Sequence, residues 1–201
     1  DTVAHVHAAT LALGWSRYCL VGHSLGAAVA SVLAGAVPAR VQRLALIEGL
    51  GPLTEEPKHA AARLARALEE EERKQGKSAP VYRSRDEAVR RLEASMSRLS
   101  HEAALTLVSR GLRDVEGGFT WRSDPRLRLP SRLRMVEEQV LACLRAITCP
   151  VLLVRASEGF PFAPKAQSAR VEALRDARLV ELPGGHHLHL ETPAPVAAEK
   201  I

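Results

Sequence analysis

Aromatic side chains are scarce in this 201-residue chain: two Trp, two Tyr and three Phe, about 3% of the residues. A core must therefore be assembled mainly from Leu, Val, Ile and Ala. The basic residues also lack the interleaved aromatics on which single-stranded nucleic acids stack. Cysteine is equally sparse. Cys19, Cys143 and Cys149 are odd in number and lack metal-ligand spacing, which argues against a disulfide scaffold and for a reducing, cytoplasmic setting. No apolar run approaches the ~20 residues that a membrane-spanning helix requires. Basic charge is nowhere run together. The 28 Lys+Arg and 23 Asp+Glu leave a net charge of +5 and a pI near 9.5, but the signs are interleaved and read as a solvated surface. Lysine is the rare cation, outnumbered by arginine 5 to 23, as genomic base composition alone can produce. An initial Met and any signal-like segment are also missing ahead of Asp1.

What is present suffices for a buried core, since hydrophobic residues make up 46% of the chain. The length suits one domain carrying an inserted lobe. Val3, Val6, Ala9, Thr10 and Leu13 fall on helical spacing, closed by Gly14. Tyr18 to Val21 form a short apolar strand. Leu25 to Val37 are a helix so rich in Ala and Gly that it must pack very close to its neighbour, and Pro38 ends it. Val41 to Ile47 read as a strand covered on both faces. Strand, helix and strand with short connections make a βαβ unit and hence a parallel sheet.

From 52 to 149 the character changes. No core strand is evident, but amphipathic stripes recur: Ala61, Leu64, Ala65 and Leu68; Val89, Leu92, Met96 and Leu99, behind a capping box at Ser84 and Glu87; and Leu133, Val136, Val140 and Leu144. This stretch holds 19 Lys+Arg and 15 Asp+Glu, +4 of the chain's charge. Glu69 to Glu72 with Arg73 and Lys74 read as an exposed helix face. After Cys149-Pro150 the sheet signature returns, with strands at Val151 to Val154 and Arg178 to Leu182 and a helix from Pro164 to Leu174. A loop of glycines and histidines follows, Pro183-Gly184-Gly185-His186-His187-Leu188-His189, and the last residues begin another helix.

The chemistry is concentrated in Gly22-His23-Ser24-Leu25-Gly26. A Gly-x-Ser-x-Gly pentapeptide between a strand and a helix makes a sharp turn that pushes the serine hydroxyl clear of the sheet. Gly22 and Gly26 are expected to supply the room for strand and helix to approach, and Leu25 to offer its N–H to an oxyanion at the helix N-terminus. A serine nucleophile needs a histidine to take its proton and a carboxylate to orient that histidine.

Serine turn, βαβ unit, helical insert, strand–helix–strand and a late Gly-His loop, in that order, resemble the α/β-hydrolase family, and the elbow and histidine loop look most like its serine-hydrolase-like, esterase-type members. The resemblance implies a parallel-sheet core from 1–51 and 150–201 and a helical cap over 52–149. It implies His186 as the base, His187 as a residue lining the site, and His23 packed beside the serine and lining it too. His189 reads as structural, the alternative for His186, His187 and His189 together being a weak metal cluster that lacks a carboxylate or cysteine partner; His5, His7, His59 and His101 lie on expected helices and read as surface or helix-packing residues. A serine in place of aspartate sets the chain apart from the dehalogenase and epoxide-hydrolase branches.

The acid departs from the family's usual pattern. The position after the third strand of this core holds Gly159, leaving Glu158 beside it or Glu48 at the end of the strand after the serine helix; Glu48 is favoured. The second oxyanion donor of the family comes from a loop after a strand that would precede residue 1, so the chain is expected to lack the family's first strands. The leading functional expectation is hydrolysis of a carboxylic ester or related acyl bond on a small apolar substrate, through an acyl-enzyme on Ser24, without metal or other cofactor. A non-catalytic or truncated relative that binds a small apolar ligand is the alternative, and a nucleic-acid-binding module the weakest reading. Nothing in the sequence addresses oligomeric state.

Overall fold

The computed structural model describes residues 2–76, 79–96, 99–161 and 164–199. In chain order the elements are α1 (Thr2–Ala12), β1 (Tyr18–His23), α2 (Leu25–Ala36), β2 (Val41–Ile47), α3 (Ala60–Lys74), α4 (Arg85–Ser95) and α5 (His101–Gly111). Then come β3 (Leu112–Val115), β4 (Gly118–Trp121), α6 (Glu137–Arg145), β5 (Val151–Glu158), α7 (Pro164–Glu172), β6 (Ala177–Gly185), α8 (Leu188–Glu191) and α9 (Pro193–Ala198). They fall into two compact units, Asp1–Pro57 with Arg134–Ile201, and Lys58–Leu133.

The first unit is an α/β structure built on a four-stranded parallel sheet in the order β1-β2-β5-β6. Its central strands are apolar because both faces are covered. On one face Leu44, Leu46, Val151 and Leu153 pack with Ala27, Ala30 and Ala34 of α2 and with Val140 and Leu144 of α6. On the other, Ile47, Leu152, Val154 and Ala156 close on Leu188 of α8. The small residues of α2 let it lie tightly against the sheet, as the Ala/Gly-rich sequence demands. β1 is less covered than the sequence implies: Cys19 and Val21 point outward, Val21 being 73% exposed.

The expected third stripe belongs to this unit. Val140 and Leu144 are fully buried on α6, which packs against α2, so the boundary of the contact unit falls after Leu133, inside the stretch 52–149. The helix also starts later than the stripe. Val136 is its N-cap, with its N–H held by the Gln139 side chain at 3.0 Å, and Leu133 lies outside it, 66% exposed.

The second unit comprises α3, α4, α5 and an antiparallel hairpin, β3–β4. Ser84 caps α4 by accepting from Glu87 N at 3.1 Å, while Glu87 reaches back to Arg83 N at 2.8 Å, one residue beyond a standard capping box. In α3 the buried residue is Ala67, whereas Leu64 and Leu68 of the expected stripe are 37% and 45% exposed. The hairpin turns at Glu116-Gly117-Gly118, with Gly117 and Gly118 at positive φ, and pairs as a two-stranded sheet of its own. Glu70 pairs with Arg73 and Lys74, and Glu71 with Arg132, so the acidic run is a solvated, ion-paired face. Among the described residues no helix is long and apolar enough to cross a membrane.

Candidate active site

Parallel strands deliver their C-terminal ends to one edge of the sheet, and the candidate residues sit there. Ser24 follows β1 directly, with φ 53° and ψ −116°, a conformation that costs an L-residue energy and persists only when its surroundings impose it. Ser24 N–H is held by Ile47 O at 2.9 Å, and Ser24 O accepts from Ala28 N at 3.1 Å. Gly22 is where the elbow is crowded: a Cβ there would collide with the Gly26 carbonyl and lie 2.7 Å from Ala27 N. The expected need for a second bare residue does not extend to Gly26, where a Cβ would meet nothing within 4 Å. Leu25 opens α2, so its N–H is among the helix's first-turn donors.

Glu48 follows β2 and also has φ 53°. It is 2% exposed, and its carboxylate is seated by backbone donors, Ala156 N to Oε1 at 2.6 Å and Phe160 N to Oε2 at 2.8 Å. This clamp explains the glycine at 159. A Cβ on Gly159 would occupy the space that the Glu48 carboxylate fills. Glu158 lies at the exposed end of β5.

His186 leaves the Gly184-Gly185 end of β6 and faces both groups. Its Nδ1–H donates to Glu48 Oε2 at 3.1 Å, and its Nε2 lies 2.9 Å from Ser24 Oγ. With the proton on Nδ1, Nε2 accepts from the serine hydroxyl. Residues far apart in the sequence are thereby joined into one hydrogen-bonded relay, Ser24–His186–Glu48, and Glu48 is the carboxylate in it.

Three further imidazoles surround the base. His23 Nε2–H donates to the His186 backbone carbonyl at 2.8 Å, and its ring centroid is 4.1 Å from that of His189, 4.7 Å from His186 and 5.3 Å from His187. Burial, reinforced by repulsion from the neighbouring imidazoles and opposed by the bond to the carbonyl, lowers the pKa of His23 to about 4. Burial lowers His187 and His189 as well. Neutral rings next to the base avoid adding positive charge where an imidazolium would form. The bond from His23 to the His186 carbonyl has no sequence signal beyond the His preceding the serine. Despite the histidine density, no group of three or more His, Cys, Asp or Glu among the described residues is arranged to hold a metal ion.

Known proteins resemble this chain over most of its length. Residues 1–199 match the model of the alpha/beta hydrolase family. A serine hydrolase-like protein of Dictyostelium discoideum is 28% identical over 203 residues, covering 95% of this chain and 56% of that protein. The chain therefore spans little more than half the length of that relative. Among solved structures, a hypothetical protein from Pseudomonas aeruginosa PAO1 is 42% identical with a TM-score of 0.85, covering 98% of this chain and 69% of that one. A thioesterase domain from the curacin biosynthetic pathway is 28% identical with a TM-score of 0.75, at the same coverages.

Proposed function

Since the chain belongs to the α/β-hydrolase family, we propose that it hydrolyses a carboxylic ester or a related acyl bond through an acyl-enzyme on Ser24. Ser24 Oγ attacks the acyl carbon while His186 Nε2 takes the hydroxyl proton. Glu48 holds the imidazole by Nδ1 and stabilises the imidazolium. The carbonyl oxygen, now an oxyanion, receives the Leu25 N–H. Collapse of the tetrahedral intermediate breaks the acyl bond, and His186 returns its proton to the departing alkoxide or thiolate. Water then attacks the acyl-serine, giving its proton to His186, and the acid is released with Ser24 restored. His187 lines the substrate side, and the inserted unit of residues 58–133 acts as the cap that sets which acyl group is accepted.

The observation that carries this reading is the relay itself, 2.9 Å from Ser24 Oγ to His186 and 3.1 Å from His186 to Glu48. The similarity to a serine hydrolase-like protein of Dictyostelium discoideum and to a thioesterase domain supports the acyl-bond class. A fluorophosphonate probe tests it: Ser24 is labelled in the parent and Ser24→Ala is not. No adduct, or equal labelling of Ser24→Ala, sinks the proposal and favours a non-catalytic ligand-binding relative. A panel of p-nitrophenyl esters of graded acyl length, with a matched thioester, then ranks the substrates.

A further inference from the structure

A ligand-sized space lies in the unit of Asp1–Pro57 and Arg134–Ile201, and the chemistry above makes no use of it. It is a cavity of about 170 Å³ beside the loop that follows β2, lined by the apolar Leu50, Leu53, Phe160 and Ala166 and by two arginines, Arg155 and Arg170.

The two arginines are treated differently. Arg170 is 7% exposed and fully engaged: its Nε and Nη2 each reach Glu137 at 2.7 Å, and Nη1 donates to Leu50 O at 2.7 Å. Arg155 is half-buried on β5, two residues beyond the core residue Leu153 and on the same face of the sheet. Among the described residues its guanidinium makes no hydrogen bond and no ion pair. Glu181, its register neighbour on β6, is exposed and forms no ion pair with it. A guanidinium presents five N–H donors in a fixed fork. In the lining of a largely apolar cavity that fork wants an anionic acceptor, and a carboxylate matches its geometry in a bidentate pair. Size narrows the choice, because an apolar cavity of about 150 Å³ accommodates benzene.

We propose that this cavity is a binding site for a small apolar monocarboxylate, with its carboxylate on Arg155 and its hydrocarbon body against Leu50, Leu53 and Phe160. The site is distinct from the Ser24 relay and stands or falls independently of hydrolysis. Phe160 links the two, since it lines the cavity while its N–H seats Glu48.

Benzoate is the probe and benzyl alcohol its neutral counterpart of similar size, both titrated calorimetrically into the chain. Saturable benzoate binding is expected, unchanged in Ser24→Ala, with benzyl alcohol much weaker. Arg155→Met should weaken benzoate about tenfold or more, the loss of a charge-assisted hydrogen bond, and Arg155→Lys should restore part of it. Ala166→Trp, which fills the cavity and leaves Arg155 in place, should abolish binding; this variant decides the matter if Arg155→Met fails to fold by circular dichroism. The proposal is overturned if benzoate does not saturate, if Arg155→Met binds it as the parent does, or if benzyl alcohol binds equally well.

Discussion

Ser24 and Glu48 are the two non-glycine positions with positive φ among the described residues, both at 53°, and both lie in the relay. Backbone strain therefore marks the site independently of the side chains. If Glu48 orients the base, Glu48→Gln should lower kcat by about 10³–10⁴-fold with KM little changed, and should also lower stability by about 1–3 kcal/mol, because the amide nitrogen cannot accept from the backbone N–H that it faces. Steady-state kinetics on the best ester of the panel measures this. Gly159 supplies a stricter test. Gly159→Asp alone should be destabilising, since its side chain collides with the Glu48 carboxylate, whereas Glu48→Ala with Gly159→Asp should recover part of the activity lost in Glu48→Ala. The carboxylate that joins the relay was legible as a preference for Glu48 over Glu158 and no further, because sequence spacing does not say which carboxylate the backbone of residues 156–160 will seat.

The histidine cluster predicts a pH dependence at the same scale. His23 titrates near 6.5 when unfolded and near 4 when folded, so between those values the unfolded state binds more protons. Stability must then fall as pH drops from about 6.5 to 4 and level off below. His187 and His189, also lowered by burial, act in the same direction. Thermal melts across this range should show a steeper decline for the parent than for His23→Gln, whose amide can still donate to the His186 carbonyl. An equal slope in both would remove His23 as the source.

Among the elements, β2 runs over Val41–Ile47 as its apolar run implies, and α1 and α2 end within a residue or two of their Gly and Pro stops. Periodicity and terminators act locally there, and a single sequence carries them. Boundaries set by tertiary contact are less legible. α6 starts at Glu137 because Gln139 caps Val136, and the β3–β4 hairpin depends on cross-strand pairing of short segments such as Leu112 with Trp121. Its one local sign is the Glu116-Gly117-Gly118 turn. Two substitutions probe how elements are held. Gly22→Ala drives a methyl into the Gly26 carbonyl and should cost about 1–3 kcal/mol together with the Ser24 geometry, read as a lower denaturation midpoint and lost probe labelling. Arg170→Met strands Glu137 and the Leu50 carbonyl and should cost about 3 kcal/mol, while adding Glu137→Gln should recover part of it in a double-mutant cycle.

For the whole molecule, the division into Asp1–Pro57 with Arg134–Ile201 and Lys58–Leu133 gives the chain two packing units with separate cores. Native-state hydrogen exchange should resolve them: the amides of β2 and β5, whose side chains form the sheet core, should exchange slowest, and those of α3–α5 through an opening of lower free energy. A single common opening energy for both would count against two units. The parallel sheet was readable because the βαβ pattern brackets a stretch without core strands. The extent of the inserted unit was not, since the helical stripe at Val140 and Leu144 looks the same in sequence whichever core it joins.

Placing the carboxylate at Glu48 has a consequence for descent. The proposed nucleophile and acid both lie in one uninterrupted segment ahead of residue 58, and only the histidine lies beyond the inserted unit. A lineage could therefore lengthen, shorten or exchange 58–133 by recombination without altering the chain that separates Ser24 from Glu48. An acid after β5 would put the whole insert between nucleophile and carboxylate. Here such an exchange need preserve only the return of β5 and β6, which makes the inserted unit the freer part of the gene to diversify.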